Sequence, residues 1–167
     1  MAKKAPFNIF QKTVQYFPTF AVNIILLNKK GEFLLVKRKT EPAKNQYYLP
    51  GGRMLNGETV RDCARRILKE ELGIVGKIKH VSQKYVEEIW PAREFRSGFD
   101  PYVKGTKNVH YISTIVIVEL GSREKIKLDF QSENFSWFRK LPKKPIFLRR
   151  CFSIVKECLE EKYSIEL

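Results

Sequence analysis

The chain has 167 residues, 43% of them hydrophobic, 13% aromatic and 30% charged, which is too apolar for disorder and, with 9 Gly and 8 Pro, too punctuated for a coiled coil. Its 32 Lys and Arg against 18 Asp and Glu give a net charge of +14, which suggests an anionic partner. No apolar run approaches the ~18 residues of a membrane span, and the opening MAKKAPFNIF lacks a secretory signal's apolar stretch, so a cytoplasmic location is expected.

Residues 19–28 and 32–38 are apolar runs rich in β-formers. Joined by Lys29-Lys30-Gly31, they read as a hairpin. A short strand over 46–49 stops at Pro50-Gly51-Gly52. The next segment, 59–72, reads as a helix, with Thr59 and Asp62 as a capping box and Gly73 just past its end. Strand material lies within 77–90, and 91–107 is a loop rich in charge, Gly and Pro. Residues 110–119 are the most strand-like of all, and 125–129 and 135–138 read as short strands. Pro145 opens a last helix to about residue 162, entered from the acid-free basic stretch 137–150. That stretch reads as a solvated surface in preference to a nucleic-acid face. Cys63, Cys151 and Cys158 have no CxxC spacing and imply neither a disulfide framework nor a zinc site.

Strands outnumber the two helices, and the long hairpin excludes a purely parallel sheet. A mixed sheet packed by helices, of the α/β (α+β) class and in a single domain over 1–167, is the expectation. His110 reads as a structural strand histidine and His80 as a surface one. Trp90, Phe95 and Phe99 read as packing residues. Phe10, Tyr16 and Phe17 are expected to pack onto the sheet, with base stacking as the alternative.

On a helical wheel Val60, Ala64, Ile67 and Leu68 fall within one arc about 80–100° wide. Glu71 points into the same arc, whereas Glu70 lies outside it. An ionised carboxylate on an apolar face is costly unless a metal or another cation meets it. Just upstream, Gly51 and Gly52 allow backbone to approach a ligand closely. No Gly-Lys-Ser/Thr follows, so this is no Walker loop. The residues point to metal-assisted chemistry on a phosphate compound.

The run Gly52-x5-Glu58-x7-Arg66-Ile67-Leu68-x-Glu70-Glu71-x-Gly73-Ile74 resembles the Nudix box, G-x5-E-x7-R-E-U-x-E-E-x-G-U, where U is bulky and aliphatic. Every fixed position of the 52–74 motif matches but one: Ile67 stands where the box has Glu. The resemblance implies a mixed β-sheet sandwiched between helices. It also implies hydrolysis of nucleoside diphosphates linked to another moiety, with Mg²⁺ or Mn²⁺ held by box glutamates. Glu58 and Arg66 would brace the loop–helix–loop.

The segment GEFLLVKRKTEPAKNQYYLPGGR, residues 31–53, resembles the GDP-mannose mannosyl hydrolase branch, where replacement of that glutamate is normal and water attacks the sugar carbon. This likeness implies a metal held by the Gly51 carbonyl, Glu71 and Gln131, with Glu70 a further candidate. Arg38 and Arg53 would face the diphosphate, Tyr111 would assist the departing group, Phe10 would contact substrate, and the chain would form a homodimer. The branch's base, a His after the Gln ligand, is here Ser132, and the branch's Asp on the first strand is Asn23. Serine is no base at neutral pH without an activator, so Glu133 is the candidate base. The leading expectation is release of free sugar and nucleoside diphosphate from a nucleotide-sugar of the GDP-mannose type. The alternatives are a pyrophosphohydrolase attacking phosphorus of nucleotide-sugars, ADP-ribose or nucleoside triphosphates, and a non-catalytic nucleotide or RNA binder.

Overall fold

A computed structural model describes residues 4–39, 44–75, 86–89, 111–120 and 125–143. The expected last helix over 145–162, the loop over 91–107, His80, Trp90, His110, Cys151 and Cys158 lie outside them.

The most apolar run of the chain forms the centre of the sheet. Strand β1 (Thr19–Leu27) pairs in parallel with β6 (Tyr111–Glu119), from Thr19↔Tyr111 to Leu27↔Glu119. Strand β5 (Val86–Ile89) adds antiparallel to the far side of β6. On its other side β1 meets two partners. Its first half pairs antiparallel with β4 (Gly51–Arg53), and its last residue pairs with β2 (Phe33–Arg38) as Leu27↔Phe33. Strand β2 in turn carries β3 (Tyr47–Tyr48) and β7 (Ser132–Phe138), both antiparallel. The sheet is therefore mixed, and the expected hairpin is a short one. Its turn is held by Asn28 Oδ1, which accepts the N–H of Lys30 at 2.9 Å and of Glu32 at 3.0 Å, with Gly31 at φ 73°. Beyond it the strands diverge, which leaves room for β4.

Alternation along the strands feeds two cores. Val22, Ile24, Leu26, Leu34, Val36, Val116 and Val118 pack under α2 (Val60–Leu72). Ile25, Leu27, Phe33, Leu35, Ile115 and Ile117 pack on the opposite face, with Tyr47 and Leu49. Helix α2 follows its sequence signals closely. Thr59 Oγ1 accepts the Asp62 N–H at 3.1 Å while the Asp62 carboxylate reaches back to Thr59, completing the capping box. Gly73 ends the helix at φ 65°, a left-handed conformation that favours glycine.

Two elements depart from expectation. Helix α1 (Phe7–Tyr16) has no side-chain cap and no acid in its first turn. It is held by packing, since Phe10 and Val14 close on Tyr111, while Tyr16 and Phe17 stay exposed. Residues 125–129, expected as a strand, join no ladder. Their backbone hooks onto the C-terminal end of α2 instead: Lys127 N–H donates to Leu72 O at 2.8 Å and Asp129 N–H to Glu71 O at 3.1 Å. Carbonyls that the helix leaves unpaired are satisfied this way, and Ile126 and Leu128 pack into the core. No helix among the described residues is long and apolar enough to cross a membrane.

Candidate active site

The site begins where β4 passes β1. A Cβ on Gly51 would collide with Asn23 Oδ1 and lie 3.0 Å from the Val22 carbonyl oxygen, so only glycine lets the two backbones come this close. Asn23 itself donates from Nδ2 to Ser113 Oγ at 2.6 Å. Gly52 faces α2: a Cβ there would meet Ile67 Cγ1 at 3.4 Å and Glu71 Oε1 at 3.8 Å. The glycines thus place backbone directly over the carboxylate that the wheel put on the apolar face.

Glu71 accepts the Gly51 N–H through Oε2 at a long 3.3 Å. Burial, and next the negative charge of Asp129, push its carboxyl up to about 8; the Gly51 N–H and the Arg38 charge oppose the rise. The loop hooked onto α2 brings Asp129 here, followed by Gln131. The Gln131 main-chain N–H donates to Asp129 Oδ1 at 3.0 Å, and its Nε2 donates to Oδ2 at 3.2 Å.

The wall beside these residues comes from β2, β3 and β7. Arg38 is buried, with its guanidinium carbon 4.9 Å from the centre of the Tyr48 ring. Tyr48 Oη and Ser132 Oγ share a hydrogen bond of 3.2 Å. Burial, then the charge of Glu71, pushes the Tyr48 phenol up to about 12, which leaves it a proton donor at neutral pH.

An ion pair braces this arrangement from below. Arg66 Nε and Nη2 donate to Glu58 Oε1 and Oε2 at 2.6 and 2.9 Å, and Nη2 also donates to the Arg53 carbonyl at 2.7 Å. The Leu55 N–H closes onto Glu58 Oε2 at 2.8 Å. The Arg66 contact holds the Glu58 carboxyl below its usual range. Glu58 is 7% exposed and Arg66 20%, so breaking the pair strands a buried charge. Arg66→Ala should cost about 3 kcal/mol of stability, measured as a fall in the urea midpoint. A midpoint within error of wild type would show that the brace is not needed.

Sequence candidates divide into three groups in space. Glu71, Gln131, Gly51 and Arg38 come together, joined by Asp129, Tyr48 and Ser132. Arg53, Phe10 and Tyr111 form a second group: the Arg53 guanidinium carbon stands 3.4 Å from the Phe10 ring centre, and Phe10 packs with Tyr111 through Val14. Glu70 and Glu133 turn to other partners. Glu70 is exposed and pairs with Lys4 at 3.0 Å and Arg66 at 3.4 Å. Glu133 falls at the irregularity where Arg38 pairs with Ser132 and Lys37 with Asn134. Its carboxylate, half exposed, lies 3.0 Å from Lys37 Nζ and is not part of the Glu71 group. Ile67 is 1% exposed in the core under β1 and Gly52.

Among the described residues no three His, Cys, Asp or Glu side chains gather as a metal site. The donors present are oxygens: the Glu71 carboxylate, the Gln131 amide oxygen and the Gly51 carbonyl, with the Asp129 carboxylate beside them bonded to Gln131. That set suits a hard divalent cation, and such a charge would relieve the burial and repulsion that keep Glu71 protonated. Asp129 was missed in the sequence because its segment read as a strand. Its signal is local, an Asp two residues before Gln131, the spacing of an Asx turn.

Known proteins bear on this geometry. Residues 18–140 match the NUDIX domain family. The chain is 33% identical over 127 residues to an ADP-ribose pyrophosphatase of Methanocaldococcus jannaschii; the match covers 75% of this chain and 66% of that protein, just under two thirds of its length. It is 26% identical over 135 residues to the low-salt glycan biosynthesis protein Agl8 of Haloferax volcanii, covering 81% of this chain and 80% of that one. Its fold is similar to that of a MutT NUDIX hydrolase from Burkholderia pseudomallei, with a TM-score of 0.59, 22% identity, and 80% of this chain and 92% of that chain covered. With the 52–74 motif folded as loop, helix and loop around the Glu58–Arg66 brace, the chain belongs to the Nudix family.

Proposed function

We propose that this protein hydrolyses a nucleoside diphosphate sugar of the GDP-mannose type at the sugar carbon, releasing free sugar and nucleoside diphosphate. The observation that carries the reading is Ile67. It is buried against Gly52 at the box position where a glutamate would stand, and Glu70 points outward to Lys4 and Arg66. Glu71 is thus the only box glutamate that turns toward the glycines and Asp129.

The residues divide the work as follows. Glu71, the Gln131 amide oxygen and the Gly51 carbonyl would hold Mg²⁺ or Mn²⁺. Bound there, the cation would supply Lewis-acid stabilisation of the diphosphate oxygens. Arg38, buried and always charged, would meet the same diphosphate as negative charge grows on it. Arg53, steadied on the Phe10 ring, would bind from the neighbouring cluster with Tyr111. A diphosphate stabilised in this way leaves a sugar carbon with little general-acid help. Water activation falls to the start of β7, where Glu133 would serve only if it leaves Lys37.

A second reading is favoured by likeness to the ADP-ribose pyrophosphatase and by the closeness of Asp129 to Glu71. It is attack at phosphorus of ADP-ribose or a related nucleotide. Turnover of GDP-mannose and ADP-ribose in ¹⁸O-water separates the two. Carbon attack places the label in free sugar, leaves the nucleoside diphosphate unlabelled and inverts the sugar, because one displacement occurs without an enzyme nucleophile. Label in a phosphate, with nucleoside monophosphate and sugar phosphate released, would replace the first reading by the second.

A further inference from the structure

We propose that Asp129 is a positioning residue that decides which end of the Gln131 amide faces the cation site; the inference rests on the oxygen-donor site described above. A carboxamide has one end that can bind a hard cation, Oε1, and one that cannot, Nε2. Half a turn about its last side-chain bond exchanges them. Asp129 removes that freedom. Its Oδ1 takes the Gln131 main-chain N–H at 3.0 Å and its Oδ2 takes Nε2 at 3.2 Å. With Nε2 committed to a carboxylate, Oε1 is turned to the other side.

The carboxylate is itself anchored. The Asp129 N–H donates to Glu71 O at the end of α2, two residues after Lys127 N–H donates to Leu72 O, and Leu128 between them packs into the core. The Gln131 carbonyl accepts the Lys39 N–H at 2.8 Å. The amide is therefore set between two main-chain anchors and oriented by one side chain. Groups that orient a metal ligand in this way typically matter by about 10–100-fold in affinity.

Isothermal titration of the full chain with Mn²⁺ tests this, with urea midpoints of the metal-free variants confirming that each is folded. Asp129→Asn has one acceptor oxygen, keeps one of the two bonds, and sets an NH₂ group against the other donor. It should weaken Mn²⁺ binding about 10–100-fold. Gln131→Ala should lose a similar factor. The double variant should bind no more weakly than the poorer single one, because both changes act through one oxygen. In ¹⁵N-labelled, metal-free protein the Gln131 side-chain amide signal should shift on Asp129→Asn, which a change in net charge at a distance would not produce. Wild-type affinity in either single variant would overturn the proposal. So would losses that multiply in the double variant, which would make Asp129 act on the cation directly. Glu71→Gln is the control on the site itself. If that variant bound Mn²⁺ normally, the metal site would fall, whereas abolished binding there with an unaffected Asp129→Asn would refute the positioning role alone.

Discussion

Replacing Glu71 by Gln is expected to cut turnover at least ~100-fold and yet to stabilise the metal-free protein at neutral pH. The first effect follows from its place among the oxygen donors, since losing Lewis-acid help removes several kcal/mol from transition-state stabilisation and about 1.4 kcal/mol is tenfold in rate. The second follows from its protonation. The carboxyl is raised from 4.5 to about 8 by burial and by Asp129. Below pH 4.5 it is protonated whether the chain is folded or not, and contributes nothing to pH dependence. Between 4.5 and 8 the unfolded chain releases the proton and the folded chain keeps it, so each rise in pH favours unfolding. Above 8 the full penalty is present. Glutamine carries no such penalty. In the presence of a chelator Glu71→Gln should exceed wild type by something of order 2–4 kcal/mol at pH 8 and by little at pH 5, read from urea midpoints. Saturating Mg²⁺ should narrow that gap, because only wild type gains binding free energy, about 2.7 kcal/mol at a hundred times Kd. Equal midpoints at both pH values would refute the buried-charge account, and full activity would refute the metal assignment.

Ile67→Glu is expected to be the most damaging substitution on α2. The side chain lies against Gly52 in a space closed by β1 and the helix itself. A carboxylate there would sit beside Glu71, in the field of Asp129, with no partner of its own. The stability lost should be about 3–5 kcal/mol, whereas Ile67→Leu should cost less than about 1.5 kcal/mol because volume and polarity are kept. For an enzyme attacking carbon the charged variant should not turn over faster per folded molecule. A rise in rate would signal that the missing glutamate belonged to the chemistry and would favour attack at phosphorus.

The parts of this structure that sequence revealed are those fixed by local chemistry. Thr59, Asp62 and Gly73 mark both ends of α2 because capping and left-handed termination depend on the residues at those positions. Glu71 stood out because one carboxylate broke an apolar arc. The elements that escaped notice owe their form to distant partners. Strand β4 is Gly-Gly-Arg, with no side-chain alternation to read; it is a strand because β1 supplies its hydrogen bonds. Helix α1 lacks caps and exists through Phe10 and Val14 packing on Tyr111. Ile126 and Leu128 alternate like a strand and do point inward, but the bonds of that segment go to helix carbonyls. Asp129 was hidden by the same misreading, and with it the link between Glu71 and Gln131. Family likeness drew Glu70 and Glu133 toward the site, and nothing in the sequence foretold that Lys4 and Lys37 stand beside them.

The parallel ladder of β1 and β6 bears on how the molecule comes together in time. Side chains that touch across it, such as Asn23 and Ser113, are separated by 90 positions in the chain. Closing so long a loop loses chain entropy before the ladder returns any binding, which makes this pairing a slow event compared with winding α2 or forming the turn at Asn28. Gly51, Glu71 and Gln131 lie on three segments, and the last of them is carried in by the equally long-range pairing of β7 with β2. A cation can therefore find its full set of oxygens only after the folding barrier has been crossed. Bound metal would then leave the folding rate almost unchanged and act on the reverse step, lengthening the lifetime of the native state.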